Sequence, residues 1–288
     1  MKEYNYVFVD VKLKINIPLE IKVEKKMKNF LCLEETEAFE SEEVVFKPLE
    51  NLPQIPQDGI WHQEHYFTRL DNQDAVYLRA LPTSEPYALV VYGKNFKTSC
   101  YYLSNEKSLV PESDYLLNML GLEKLLLRHK ALILHASFIR FQGQGILFSA
   151  PSGTGKSTQA DLWKKHMKAE IINGDRAGIR KKDGVWNAYG LPYAGSSRIY
   201  KNESAPLKAI VVLEQGNENV IKELNQMEAM HHLLPEFSLQ RWDEQFMQES
   251  LDQIIEILNA IPIYLFSCRP DEEAVKLLHD IIRNEGKR

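Results

Sequence analysis

The sequence is short of cysteine: three in 288 residues, standing far apart at Cys32, Cys100 and Cys268. With no CxxC pair among them, neither a disulfide frame nor a thiolate zinc site organises the chain, and buried thiols in a reducing compartment are expected. Long apolar runs are missing too. No stretch approaches the roughly 20 residues that cross a bilayer. The opening MKEYNYVFVDVKLKINIPL scatters charges among its apolar residues, unlike a signal peptide. There is no excess of positive charge: 35 Lys and Arg face 40 Asp and Glu, a net charge of −5 with no long basic run, which argues against a protein that grips nucleic acid. Glycine and proline are at ordinary levels, and neither an internal repeat nor a low-complexity segment interrupts the chain. These absences leave a globular, cytoplasmic protein with neither membrane nor nucleic acid as partner.

What is present is 44% hydrophobic residues, enough to bury the core of one large domain or two modest ones. Residues 1–110 are rich in short β-type runs: YVFVDVKLKINI, EEVVFKPL, AVYLRAL and YALVVYG, separated by turn-like NLPQIPQDG and LPTSEP. Within the first, VDVKLKINI alternates as a half-buried antiparallel strand. Residues 111–288 read differently. PESDYLLNMLGLEKLLLRHK predicts a helix capped at Ser113 or Asp114, and the strands ALILHASFIRF and GILFSA follow across the turn QGQG. Then come a helix (STQADLWKKHMK), a strand (EIINGD), a hairpin turning at Asp183-Gly184, and the strand LKAIVVLEQ. Two helices near 224–234 and 242–259, the strand IPIYLFSC and a helix capped at Asp271 complete the chain. Strands alternating with helices predict an α/β core.

FSAPSGTGKSTQ, residues 148–159, carries most of a phosphate-binding loop, with Ala150 where the usual G-x-x-x-x-G-K-[ST] pattern has its first glycine. Such a loop turns consecutive N–H groups inward, and the following helix adds its positive end. Ser152, Gly153, Thr154, Gly155, Lys156, Ser157 and Thr158 are the candidate nucleotide-binding residues. Lys156 would reach the outer phosphates of ATP and the Ser157 hydroxyl would ligate Mg²⁺. Thr158 would add a contact to an inner phosphate or simply start the helix.

The segment LHASFIRFQGQGILFSAPSGTGKS, with EIINGD downstream, resembles the HPr kinase/phosphorylase family, whose loop carries a Ser-Gly-x-Gly-Lys-Ser core and whose fold is shared with phosphoenolpyruvate carboxykinases. The pattern is also similar to the serine kinases of lasso-peptide and other ribosomal-peptide biosynthesis. The resemblance spans about residues 130–215 and implies an HPr-kinase-like P-loop core behind a β-rich N-terminal region. It implies an ATP- and Mg²⁺-dependent transfer of the γ-phosphate to a hydroxyl, most naturally a serine of a peptide or small protein such as a ribosomal-peptide precursor, and a homo-oligomer. It places His135 beside the transferred phosphate, as a hydrogen-bond donor or to tune Asp175, and Asp175 near Mg²⁺ and the acceptor, as metal ligand or base. Two departures stand out. The bifunctional relatives carry two adjacent aspartates where this chain has Gly174-Asp175, and a Glu-x-Arg-Gly signature where it has Asn187 and Tyr189. That signature goes with phosphorolysis, so a kinase without efficient reverse reaction is expected.

Arg198, in YAGSSRIYKN, is the candidate for stabilising charge on the phosphoryl group, with Arg176 and Arg269 as competitors. Ser196 and Ser197 suit an anion pocket or a polar turn. Trp186, Tyr189 and Tyr193 frame a cleft or pack a hairpin. His231 and His232 project about 100° apart on a helix and do not make one metal-binding face. A kinase for a small metabolite and a nucleotide-binding regulatory module without transfer activity are the alternative functions.

Overall fold

A computed structural model describes residues 1–32, 39–105, 113–193, 195 and 197–284. It is a mixed α/β protein that divides into two compact units, Met1–His129 with Gln240–Met247, and Lys130–Leu239 with Gln248–Arg288. The boundary expected between residues 110 and 111 lies outside the described residues.

The first unit is built on one eight-stranded sheet. Its strands are β1 (Lys2–Phe8), β2 (Val11–Ile17), β3 (Glu40–Leu49), β4 (Ile60–His62), β5 (His65–Leu70), β6 (Gln73–Arg79), β7 (Pro86–Tyr92) and β8 (Lys97–Leu103), with one helical turn, α1 (Lys25–Lys28). The spatial order is β1-β2-β3-β8-β7-β6-β5-β4. All pairings are antiparallel except β2 with β3 and β3 with β8. The single strand expected over residues 9–17 is a correction: Val9 and Asp10 take φ of 54° and 57° and turn the chain back, so Phe8 faces Val11 across a hairpin. Val9 disfavours that conformation, which is why no turn is legible there. From Val11 onward Leu13, Ile15 and Ile17 are buried and Lys14 is exposed as expected, but Lys12, expected on the polar face, is buried as well.

The helix expected over 113–130 is also corrected, to α2 (Ser113–Leu120) and α3 (Leu122–Arg128). Gly121, at φ 56°, breaks it and stands at the N-cap of α3. The side chains of the expected caps, Ser113 and Asp114, lie outside the described residues. Both helices belong to the first unit. The Tyr92 hydroxyl donates to Leu120 O at 3.1 Å, and the Lys124 ammonium sits between Asp74 at 2.8 Å and Asp243 at 2.5 Å.

In the second unit the strands are β9 (Ala131–Phe141), β10 (Gln144–Ser149), β11 (Glu170–Asn173), β12 (Arg176–Lys182), β13 (Val185–Gly190), β14 (Ser204–Gln215), β15 (Val220–Glu223) and β16 (Ile263–Cys268). Helices α4 (Lys156–Met167), α5 (Gln226–Leu233), α6 (Glu244–Ala260), which begins in the first unit, and α7 (Glu272–Asn284) alternate with them. The sheet runs β10-β9-β12-β13-β14-β16-β15, and a further β10–β14 pairing closes five of these strands on themselves. β10, β14 and β16 are mutually parallel neighbours, so their C-terminal ends open on one side, where ligands of α/β sheets gather. Asp183-Gly184 makes the expected hairpin turn, with φ of 49° and 81°. Asp271 caps α7 as expected, its carboxylate accepting from Ala274 N at 2.9 Å.

The core of this unit is apolar and aromatic. Trp163 of α4 is fully buried, edge-on to Phe141 at 5.4 Å, among Ile146, Phe148, Val211 and Phe266. No helix among the described residues is long and apolar enough to cross a membrane.

Candidate functional site

The segment Ala150–Gly155 joins the end of β10 to the start of α4. Gly153 and Gly155 take φ of 83° and 121°, conformations that only glycine adopts without strain. A Cβ built on either meets nothing within 4 Å, so the loop faces open space. Gly155 is the N-cap of α4, whose first N–H groups lack intrahelical partners. Ser152 and Thr158 are exposed and Ser157 is half-buried.

Ala150 answers the puzzle of the missing glycine. It does not have a positive φ, and its methyl group lies in the hydrophobic core beside Phe148 and Val211. At this position the backbone has no need of glycine, and the methyl contributes burial.

Lys156 is folded back over the loop. Its ammonium donates to Ala150 O at 2.6 Å and Pro151 O at 3.2 Å. Burial holds this ammonium below the usual lysine range, and the carboxylates of Glu236 and Asp175 act in the opposite direction. Two cavities within the second unit flank the loop. One, of about 620 Å³, is lined by Pro151, Ser152, His231, His232 and Glu236. The other, of about 690 Å³, lies over Gly155, Thr158, Gln159 and the ends of β14 and β16, with Arg269 on its wall. Both fall in the size range of small-molecule sites.

The histidine and aspartate come together through β9. His135 is the half-buried position in an otherwise buried run, and it pairs in register with Arg176. Its carbonyl accepts from the Ser149 hydroxyl at the loop entrance, 2.9 Å away. The next residue, Ala136, donates its N–H to Asp175 O at 3.0 Å, and the Ser137 hydroxyl donates to Gly174 O at 3.1 Å. His135 Nε2 thereby stands 3.9 Å from Asp175 Oδ1. On the ring's other side, Nδ1 lies 2.8 Å from Glu236 Oε2.

Arg176 is the arginine with direct contacts here. Its Nε is 3.8 Å from Asp175 Oδ2, Nη1 donates to Ser238 Oγ at 3.2 Å, and the guanidinium lies over the Tyr193 ring at 5.0 Å. Arg198 stands exposed at φ 53°, on the turn that follows Gly195. Arg269 is occupied by Asp271 and Glu273, each at 2.8 Å. Ser196 lies outside the described residues. Trp186 and Tyr189 are buried on the hairpin, and the Asn187 amide donates to Val185 O at 2.9 Å. His231 and His232 meet edge-on, 5.5 Å apart, at the rim of the smaller cavity.

Two residues of the site were not foreseen from sequence. Glu236 comes from a 3-10 turn, Leu234–Glu236, far along the chain from His135. Asn173 is fully buried at the end of β11, and its side chain ties the turn that carries Asp175 to the segment that follows β13. Its Oδ1 accepts from the N–H groups of Asp175 and Arg176 at 2.8 and 2.9 Å. Its Nδ2 donates to Leu191 O at 2.6 Å and Tyr193 O at 3.0 Å. The strand-end asparagine in EIINGD was the available signal, since Asn hydrogen-bonds its own backbone two residues on.

Gly174 has a steric reason. A Cβ there would lie 1.9 Å from Ser197 Oγ and 2.6 Å from Ser197 Cβ, and a Cβ on Gly195 would lie 2.9 Å from that of Asp175. Ser197 occupies the space a side chain at 174 would need.

A family model, "SynChlorMet cassette protein ScmC", matches residues 116–270, more than half of the chain. The chain belongs to that family, whose description names no reaction. No curated protein matches the sequence. Among solved structures, the HPr(Ser) kinase/phosphatase from Coxiella burnetii is similar over 53% of this chain and 89% of its own, at 12% identity and a TM-score of 0.32. A superposition of that quality defines no shared site.

Two substitutions test this geometry. Asn173→Asp puts a carboxylate oxygen against the carbonyls of Leu191 and Tyr193, and chemical denaturation is expected to show a loss of about 1–3 kcal/mol or more. Gly174→Asp, which sets a second aspartate beside Asp175, is expected to cost about 1–3 kcal/mol by overpacking against Ser197. Adding Ser197→Gly is expected to recover part of that loss. Unchanged denaturation midpoints in the single variants would contradict the packing described.

Proposed function

We propose that this protein is an ATP- and Mg²⁺-dependent phosphotransferase that moves the γ-phosphate to a hydroxyl, with a serine of a peptide or small protein as acceptor. The observation that carries the reading is an open glycine cradle at the head of α4, with the Lys156 ammonium parked on two main-chain carbonyls at its mouth. Such an arrangement suits an anion: the N–H groups, the helix terminus and the lysine all present positive charge to one space. Lys156 exchanges its carbonyl partners for phosphate oxygens when nucleotide enters.

The donor set fits Mg²⁺ rather than a metal held by protein alone. Among the described residues no group of three or more His, Cys, Asp and Glu side chains could cage a metal ion. Ser157 and Asp175 would offer the ion hard oxygens of the kind Mg²⁺ takes. Bound there, the ion would neutralise charge on the phosphates. In the transfer the acceptor oxygen forms its bond to the γ-phosphorus, the bond to the β–γ bridging oxygen breaks, and the hydroxyl proton passes to the Asp175–His135 pair. Arg176 is the better placed cation for the transferred group, with Arg198 on the adjacent turn as a second.

The acceptor class rests on the resemblance to ribosomal-peptide kinases, and the β-rich first unit is proposed to bind that acceptor. Asn187 and Tyr189 supply neither the carboxylate nor the guanidinium of the phosphorolysis signature, which favours a forward kinase. Purified protein with γ-labelled ATP, Mg²⁺ and serine-containing peptides is expected to label a peptide serine. Lys156→Ala and Asp175→Asn are each expected to lower that rate by about 10²- to 10³-fold, as when a charge-stabilising group is removed. Nucleotide binding with no transfer to a peptide or a small hydroxyl compound would favour a regulatory module, and no nucleotide binding would end the reading.

A further inference from the structure

The imidazole of His135 lies between two carboxylates, and they hold it unequally. Glu236 Oε2 is at 2.8 Å from Nδ1, a hydrogen bond, whereas Asp175 Oδ1 is at 3.9 Å from Nε2, beyond one. A carboxylate only accepts, so the bond to Glu236 requires the proton to be on Nδ1. In the neutral ring Nε2 then keeps its lone pair, turned toward Asp175.

Glu236 is itself firmly placed. Its side chain is 10% exposed. Pro235 before it fixes the local backbone. Phe237 after it makes a β-bridge with Leu134, and Ser238 donates its N–H to Ile133 O at 2.9 Å. The Ser238 hydroxyl in turn accepts from Arg176, which faces Asp175. Two turns, one carrying Glu236 and one carrying Asp175, are thus anchored on the same five residues of β9 and approach the ring from opposite sides. Glu236 also lines the cavity beside the loop.

We infer that Glu236 is a positioning residue for phosphoryl transfer: it fixes His135 as the Nδ1–H tautomer and so presents Nε2, together with Asp175, to the hydroxyl of the acceptor. The inference rests on the kinase reading above. It supplies, from a distant segment, the second carboxylate for which Gly174 leaves no room. Nε2 and the Asp175 oxygen are two acceptors facing one space, which is the surrounding a hydroxyl donor seeks. Without Glu236 the ring is free to turn or to carry its proton on Nε2, closing that space to the donor.

The test uses the full chain labelled with ¹⁵N-histidine, without nucleotide, at a pH where the imidazole is neutral, with His135→Gln to assign the signal. The expected spectrum is that of the Nδ1–H tautomer for wild type and for Glu236→Gln, whose amide oxygen still accepts, and of a mixture or the Nε2–H form for Glu236→Ala. In peptide phosphorylation, Glu236→Ala is expected to lower kcat by about 10- to 100-fold, the usual effect of losing an orienting partner. The KM for ATP is expected to stay within about twofold, and Glu236→Gln to recover much of kcat. An Nε2–H ring in wild type, or a kcat unmoved in Glu236→Ala, overturns the inference. Failure of wild type to bind ATP would instead defeat the kinase reading, while the tautomer pattern would still decide what Glu236 does to His135.

Discussion

Five consecutive residues of β9, Ile133 to Ser137, tie together three segments that form this site. Their backbone and side chains bond to the loop entrance at Ser149, the turn at Gly174-Asp175, and the segment Phe237–Ser238. The register of β9 is held by its pairings with β10, β11 and β12, and a slip of one residue would carry His135 to the opposite face of the sheet. The register therefore sets the distances from His135 to both carboxylates. Rigid elements hold a constellation more tightly than loops do, and here three loops borrow the rigidity of one strand.

Around that strand the site has two kinds of residue. Gly153, Gly155, Ser157 and Lys156 make a surface suited to anions, open and positively polarised. Asn173, Gly174 and Gly195 carry no chemistry, yet they decide where Asp175 stands: the asparagine amide ties its turn on both sides, and the two glycines allow close packing of the neighbouring segment. The same close packing leaves no space for a second aspartate at 174. A departure from the pattern of bifunctional kinases, read from sequence as a missing carboxylate, is in three dimensions a place already filled by Ser197.

How much of this was legible depended on range. The loop, its flanking strands and the Asp183-Gly184 hairpin were readable because glycine and apolar periodicity are local signals. Ala150 was legible as a departure but not as a solution, since only the packing against Phe148 and Val211 shows that its methyl is buried. Val9-Asp10 turns the chain against its own propensity, which the sheet around it enforces. The strands β4, β5, β8 and β15 were not foreseen; β4 and β15 have only three and four residues. Glu236 was illegible for another reason. It meets His135 across a hundred positions of sequence, through a β-bridge that no periodicity announces.

The central claim is that the loop between β10 and α4 receives the phosphates of a nucleotide. A crystal structure of the chain with Mg²⁺ and a non-hydrolysable ATP analogue tests it most directly. The account predicts phosphate oxygens on the N–H groups of residues 152–158, with the Lys156 ammonium moved from the carbonyls of Ala150 and Pro151 onto a phosphate. An empty loop with both carbonyl bonds of Lys156 intact, at nucleotide concentrations that saturate any binding, would contradict it.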